Sequence, residues 1–241
     1  MAEGAADLCI CVLFYGADDY CSYLARRVLN APMRELAARN NIEFRFGFNA
    51  VGPQTREFVT QQIAEHFHRA TVIDCAVNIF KYPLMRRLFH DSALTTPAIM
   101  WFDDNSYISP DTDVDRWLNR IFKHLDGCAL LGSVYTQGLI GNQAAWIKSQ
   151  PWYGGKQPAP YVKYVADGWF VMRASYITEF NWPPPCIAQY GGDVMLGELC
   201  RQQNLSFCHF RDNVLISANS SGVEGVYRRR GFDAAPVGFD Y

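Results

Sequence analysis

The sequence predicts an α/β fold with a largely parallel central sheet, and three observations carry that reading. Apolar runs of strand length alternate with stretches of helical periodicity through the first half of the chain. The runs Leu8–Tyr15 (LCICVLFY) and Ala98–Phe102 (AIMWF) are almost continuously apolar, as strands buried on both faces are. The second run ends abruptly in Asp103-Asp104-Asn105-Ser106, and ligands of open α/β sheets collect at the carboxyl ends of their strands.

The elements follow in order. Leu8 to Tyr15 reads as a first strand closing at Gly16. A helix is expected from about Asp19 to Asn40, with Leu24, Val28 and Leu36 on its apolar side. Ile42 to Phe48 alternates like a strand, and Pro53 then opens a helix that Phe58, Ile63 and Phe67 carry to about His68. Thr71 to Val77 is a short third strand. A helix opened by Pro83 occupies the segment from Asn78 to His90, ahead of the Asp103/Asp104 strand. Asp111 to Asp126 has acids at its start, Lys123 and His124 at its end and Gly127 beyond, the charge pattern of a capped helix. Residues 132 to 161, rich in Gly, Gln, Trp, Tyr and Pro, read as a long irregular loop of the kind that serves binding sites. Val162 to Met172 is expected as a strand, Asp193 to Gln203 as a helix, and Leu205–Phe210 and Val214–Ser217 as short strands before a coil tail. No internal repeat or low-complexity linker divides the chain. One domain over 1–241 is expected, with halves at 1–127 and 128–241.

Composition narrows the class. Of 241 residues, 49% are hydrophobic and 19% charged, a globular balance rather than a disordered one. No apolar run reaches the roughly 18 residues of a membrane span. The first residues lack the basic start of a secretory signal, so a cytoplasmic address is expected. The eight cysteines are scattered without a CxxC pair and read as small buried hydrophobes. The net charge of −2 does not ask for nucleic acid, although 17 of the 22 basic residues are arginine, whose planar fork suits phosphate.

Four ordered features resemble the GT-A glycosyltransferases. They are the strand ending in Phe14-Tyr15-Gly16, the Asp103-Asp104-Asn105 run like the family's DxD signature, the strand Gly168-Trp169-Phe170-Val171-Met172-Arg173, and Gly191-Gly192-Asp193 opening a helix with Leu196-Gly197. Within that group, Lys81-Tyr-Pro-Leu-Met-Arg86-Arg87-Leu-Phe89 with the following acidic block resembles the TET-associated DNA glycosyltransferases of bacterial viruses, which modify 5-hydroxymethylcytosine.

The resemblance implies a UDP-sugar donor, UDP-glucose first, and a Mn²⁺ or Mg²⁺ cofactor. Asp104 would contact the metal with Asn105 as a further, uncharged ligand, and a late histidine, His209, would complete the set. Asp103 would bond the ribose or orient its neighbour, while Phe14, Tyr15, Gly16, Asn78, Lys81 and Arg86 would line the donor site. Asp193 would be the base of an inverting transfer. Trp169, Gly191, Gly192, Arg87 and Arg229 would face the acceptor, DNA carrying 5-hydroxymethylcytosine or another hydroxyl compound. Each position also has a plain reading: Asp193 as a helix cap, His209 as a core histidine in an apolar strand, the arginines as a solvated helix face. Two further readings stay open: a transferase for a surface polysaccharide or small glycan, and a nucleotide-sugar-binding protein without catalysis.

Overall fold

A computed structural model describes residues 6–139 and 141–217. In chain order its strands are β1 (Leu8–Tyr15), β2 (Ile42–Asn49), β3 (Ala70–Cys75), β4 (Ala98–Phe102), β5 (Ser106–Ile108), β6 (Leu130–Gly138), β7 (Tyr161–Arg173), β8 (Phe207–His209) and β9 (Val214–Ile216). Its helices are α1 (Asp18–Val28), α2 (Ala31–Ala37), α3 (Pro53–His66), α4 (Lys81–His90), α5 (Val114–Leu125), α6 (Gln143–Lys148), α7 (Ala174–Glu179) and α8 (Gly192–Gln202).

Seven strands form one sheet in the order β3-β2-β1-β4-β7-β6-β8, and β5 pairs with β9 in a separate ribbon. The four strands β3, β2, β1 and β4 run parallel. Only β7 opposes its neighbours β4 and β6, so the sheet is mixed but mostly parallel. The chain steps outward from β1 to β2 and β3, then returns to place β4 on the other side of β1. That reversal makes the carboxyl ends of β1 and β4 a topological switch point, where such sheets open a crevice.

Side-chain alternation sorts the strands into two faces. Leu8, Ile10, Val12 and Phe14 of β1 join Ala98, Met100 and Phe102 of β4 in a core roofed by α1, α2, α3 and α5. Cys9, Cys11, Leu13, Ile99 and Trp101 point the opposite way, into a core shared with α4, α7 and α8. Asp103, two residues past Trp101, falls on that second side. The pattern thus delivers the first acid of the run to the face that carries α4 and α8.

Several expectations are corrected. The helix foreseen over 19–40 is two helices, because Asn30 caps a new start: its side chain accepts from Met33 N–H, and Pro32 cannot continue the preceding turn. Residues 132–161 are not wholly irregular. They hold most of β6, whose exposed end pairs antiparallel with β7, and the short helix α6. The fourth helix begins at Lys81 rather than Pro83, and α7 has no counterpart in the sequence reading. The tail expected as coil lies outside the described residues from 218 onward.

Candidate active site

The crevice at the switch point collects acids from both halves of the chain around one lysine. Lys81 is the first residue of α4, a poor place for a cation, because the helix dipole is positive there. What holds it is Asp103, whose Oδ2 accepts from Lys81 Nζ at 2.8 Å, with both side chains largely buried. Burial alone would push the ammonium's pKa down. The charges of Asp103, Asp193 and Asp104, with the Asp103 hydrogen bond, outweigh that and hold it above the usual lysine value. Lys81 is therefore a fixed positive charge.

Asp103 is clamped on both oxygens. Its Oδ1 accepts from the indole N–H of Trp101 at 2.7 Å, a partner supplied by the two-residue strand period. Its backbone N–H donates to Gly168 O at 2.6 Å. Gly168 has φ +72°, and a Cβ there would lie 2.9 Å from Asp103 Cβ and 2.8 Å from Ser106 Oγ. Only glycine lets β7 approach the acidic turn so closely.

The entrance to α4 is shaped by asparagines. Asn49 Oδ1 accepts from Ile79 N–H, and Asn78 Oδ1 accepts from both Asn49 Nδ2 and Phe80 N–H, each at 2.8 Å. Asn78 Nδ2 reaches Tyr15 OH at 3.3 Å. Phe80 sits at φ +68°, an uncommon conformation outside glycine that this network supports. The first two N–H groups of α4 donate to Gln189 Oε1 and Ala188 O. Those partners come from the loop that leads into α8, so α4 and the Asp193 segment are bonded directly.

Asp193 is the second residue of α8. Gly191, at φ +78°, occupies the cap position, so the plain reading of Asp193 as the N-cap does not hold. Its Oδ1 accepts from Tyr82 OH at 2.8 Å. Burial, then the charge of Asp193, raises the Tyr82 phenol well above its ordinary pKa. Burial and the same carboxylate raise Tyr164 of β7. The helix lies close against β7 because Gly197 has no Cβ; one there would come within 2.2 Å of Lys163 O.

The structure thus brings together Tyr15, Asn78, Lys81, Asp103, Asp104, Gly191, Gly192 and Asp193. Phe14, Trp169, Arg86 and Arg87 are engaged elsewhere. Phe14 is fully buried and packs on Phe46 and Phe48 beneath the sheet. Gly16, at φ +106°, accepts from Gly52 N–H at the end of β1, with open space where its Cβ would be. Trp169 is buried among Phe102, Trp117 and Phe210, so it supports the site from below rather than stacking on a ligand. Arg86 braces the carbonyls of Asn181 and Pro183. Arg87 bonds Asp91 and Cys75. With Tyr82 and His90, these two arginines line a cavity of about 400 Å³ between α4 and the segment that holds Pro184, Pro185 and Ile187. Arg229 lies outside the described residues.

His209 is separated from the acidic turn. It pairs with Gly132, which pairs with Phe170, which pairs with Trp101, so three strand spacings of about 4.8 Å, roughly 14 Å, lie between β8 and β4. Its Nδ1 accepts from Val134 N–H at 3.1 Å. The edge-strand position is the correction to its expected place beside Asp104.

Whether a divalent ion fits rests on charge and donor type. Asp103, Asp104 and Asp193 all act on Lys81, leaving a formal excess of two negative charges among these four groups. Asp104 is buried, and Asn105 sits next to it, with its backbone oxygen accepting from Ser217 N–H. No group of three or more His, Cys, Asp or Glu side chains suited to a metal occurs among the described residues. Mg²⁺-type ions are nonetheless commonly held by one or two carboxylates together with substrate phosphates, and the oxygen donors here fit that mode. Trp101, Tyr82 and Tyr164 escaped the sequence reading as site-shaping residues. Only Trp101, two positions from Asp103, carried a local signal.

No protein-family model matches this sequence, and comparison with curated proteins finds no match. Solved structures do match. A mannosyltransferase from Pyrobaculum calidifontis, in complex with GDP-Man and Mn²⁺, superposes with a TM-score of 0.61 at 11% identity, over 90% of this chain and 58% of that one. GalNAc-T7 with UDP, GalNAc and Mn²⁺ gives 0.60 at 10% identity, over 96% and 47%. S. aureus TarS (1–349) gives 0.55 at 14%, over 86% and 58%. The chain therefore spans about half the length of these proteins, and at this identity the likeness establishes the fold: a GT-A sheet with its flanking helices.

Proposed function

We propose that the protein is a metal-dependent, inverting glycosyltransferase. The donor we assign is a UDP-sugar, UDP-glucose first, and the acceptor a hydroxyl group. The observation that carries the reading is the bridge made by two adjacent residues: Lys81 binds the acid at the end of β4, and Tyr82 binds the acid that opens α8. A donor-side carboxylate and an acceptor-side carboxylate thus share one crevice at the switch point of a GT-A sheet.

In this reading Asp193 takes the proton from the acceptor hydroxyl as its oxygen attacks the anomeric carbon. The bond from that carbon to the diphosphate breaks on the opposite face, and the electron pair leaves with the nucleotide. Lys81, already charged and held in place, offsets the negative charge that builds on the leaving group. Asp103, fixed by Lys81 and Trp101, orients the donor, and Asn78 and Tyr15 shape the nucleotide side. Asp104 and Asn105 would hold a Mn²⁺ or Mg²⁺ ion, which supplies Lewis-acid neutralisation of the diphosphate.

The acceptor we favour, 5-hydroxymethylcytosine in DNA, rests on the Lys81–Phe89 run alone. A second reading, a hydroxyl on a surface polysaccharide or small glycan, is favoured by the net charge of −2 and by the internal engagement of Arg86 and Arg87. Transfer from radiolabelled UDP-glucose with Mn²⁺ to hydroxymethylated duplex, against unmodified duplex, separates them. Label on the modified duplex alone supports the DNA acceptor. UDP release without labelled DNA keeps the transferase and moves the acceptor to a glycan. Full activity in chelator contradicts the metal assignment, and no donor turnover with any nucleotide sugar leaves a binding protein.

A further inference from the structure

Tyr82 is 3% exposed, and its ring packs edge-on against Trp182 at 6.3 Å in the core beneath α4. A phenylalanine would fill that space equally well. The hydroxyl is what tyrosine adds, and a buried hydroxyl without a partner is costly. Here it donates to Asp193 Oδ1. The contact extends to the backbone: a Cβ on Gly192 would fall 2.1 Å from Tyr82 Cζ, so the start of α8 lies directly on the ring. Gly191 in the left-handed region turns the chain into that position.

A carboxylate's terminal torsion is broad, so backbone placement alone does not fix where its oxygens point. A hydrogen bond to one oxygen selects the plane. The groups that feel the Asp193 charge include Lys81 and Tyr82 from α4 and Tyr164 from β7, with Asp103 beyond Lys81. Of these, Tyr82 makes the short bond. Its phenol, held protonated by burial and by the neighbouring charge, acts as a donor and does not take the proton itself.

We propose that Tyr82 is a positioning residue for the base of glycosyl transfer: its hydroxyl fixes the Asp193 carboxylate toward the acceptor while its ring seats the glycine turn that carries it. The inference rests on the transferase reading, with Asp193 as base.

The test is Tyr82→Phe, made alone and with Asp193→Asn, each checked for folding by thermal melt. Two readouts are taken: UDP release from UDP-glucose with Mn²⁺, resolved into kcat and KM, and ¹³C titration of the Asp193 carboxyl. The expected result is a kcat loss of about 10- to 100-fold with donor KM unchanged, and a carboxyl titration moved to higher pH, because the charged form has lost a donor. In the Asp193→Asn background Tyr82→Phe should add no further loss. A folded Tyr82→Phe with wild-type kcat and an unmoved titration overturns the proposal. Asp193→Asn with full turnover, beside a moved titration, instead removes the base assignment and with it the catalytic meaning of the bond. If Tyr82→Phe does not fold, fluorotyrosine at position 82, a stronger donor of the same shape, should move the titration to lower pH; no movement counts against the proposal. If UDP-glucose is not turned over, the titration alone decides whether Tyr82 holds Asp193.

Discussion

Lys81 stands where a helix repels a cation, and the pairing with Asp103 is what keeps it there. Removing one partner of a buried pair leaves the other uncompensated, so Lys81→Met should cost about 3 kcal/mol by chemical denaturation. The sign of its pH dependence follows from the raised lysine pKa. The stabilisation is fully present below the unfolded value of about 10.4 and is lost as pH rises through the folded one. The difference between wild type and variant should therefore not fade through this lysine between roughly pH 6 and 9, and should fall only in strong alkali. Gly168 gives a second residue-scale prediction. Gly168→Ala forces an L-residue to φ +72° and sets a methyl against Asp103, so it should destabilise by about 1–2 kcal/mol and weaken UDP binding in calorimetry. Of these residues the acids were legible in the sequence, because an apolar strand that ends in carboxylates is a local signal. Tyr82 and Asp193 were not legible as partners. They are 111 positions apart, and nothing local to either names the other.

Helix α4 is the element that joins the two sides of the crevice. Its far end is tied by His90, whose Nε2 donates to Trp182 O at 2.7 Å. Burial lowers the His90 pKa, with Arg86 adding to it against the opposing pull of the Trp182 carbonyl and Asp91. The folded state thus resists protonating this ring while the unfolded chain accepts a proton near pH 6.5. Its contribution is present above that value and is lost as pH falls through the folded pKa. Denaturation midpoints should drop on acidification through pH 6, and His90→Gln should flatten that part of the slope. Helix α5 offers a simpler case: Asp113 accepts from Arg116 N–H as its cap, so Asp113→Ala should cost about 1 kcal/mol without touching turnover. Charge pattern made α5 readable in the sequence. The break between α1 and α2 was written in Asn30 and Pro32, yet the apolar periodicity ran through it and hid it. Strand β6 was hidden by its composition, since Thr136-Gln137-Gly138 pairs with β7 at an exposed end and needs no apolar side chains there.

At the scale of the molecule, a reversal of strand order places Tyr15 and Asp103 at one crevice, and a seam between α4 and α8 brings Asp193 to it. The centre of the parallel half was legible because both faces of β1 and β4 are buried, as the runs 8–15 and 98–102 show. His209 shows where legibility ended. A histidine between Cys208 and Phe210 looks the same in sequence whether its strand is central or at the edge, and only the order of the sheet decides. Calorimetric binding of UDP to wild type and to Asp104→Asn, with and without Mn²⁺, puts the proposed metal and donor site to the test. The expected result is Mn²⁺-dependent binding to the wild type that is lost in the variant while its fold is kept. UDP binding that ignores both the metal and Asp104, or no UDP binding at all, would contradict it.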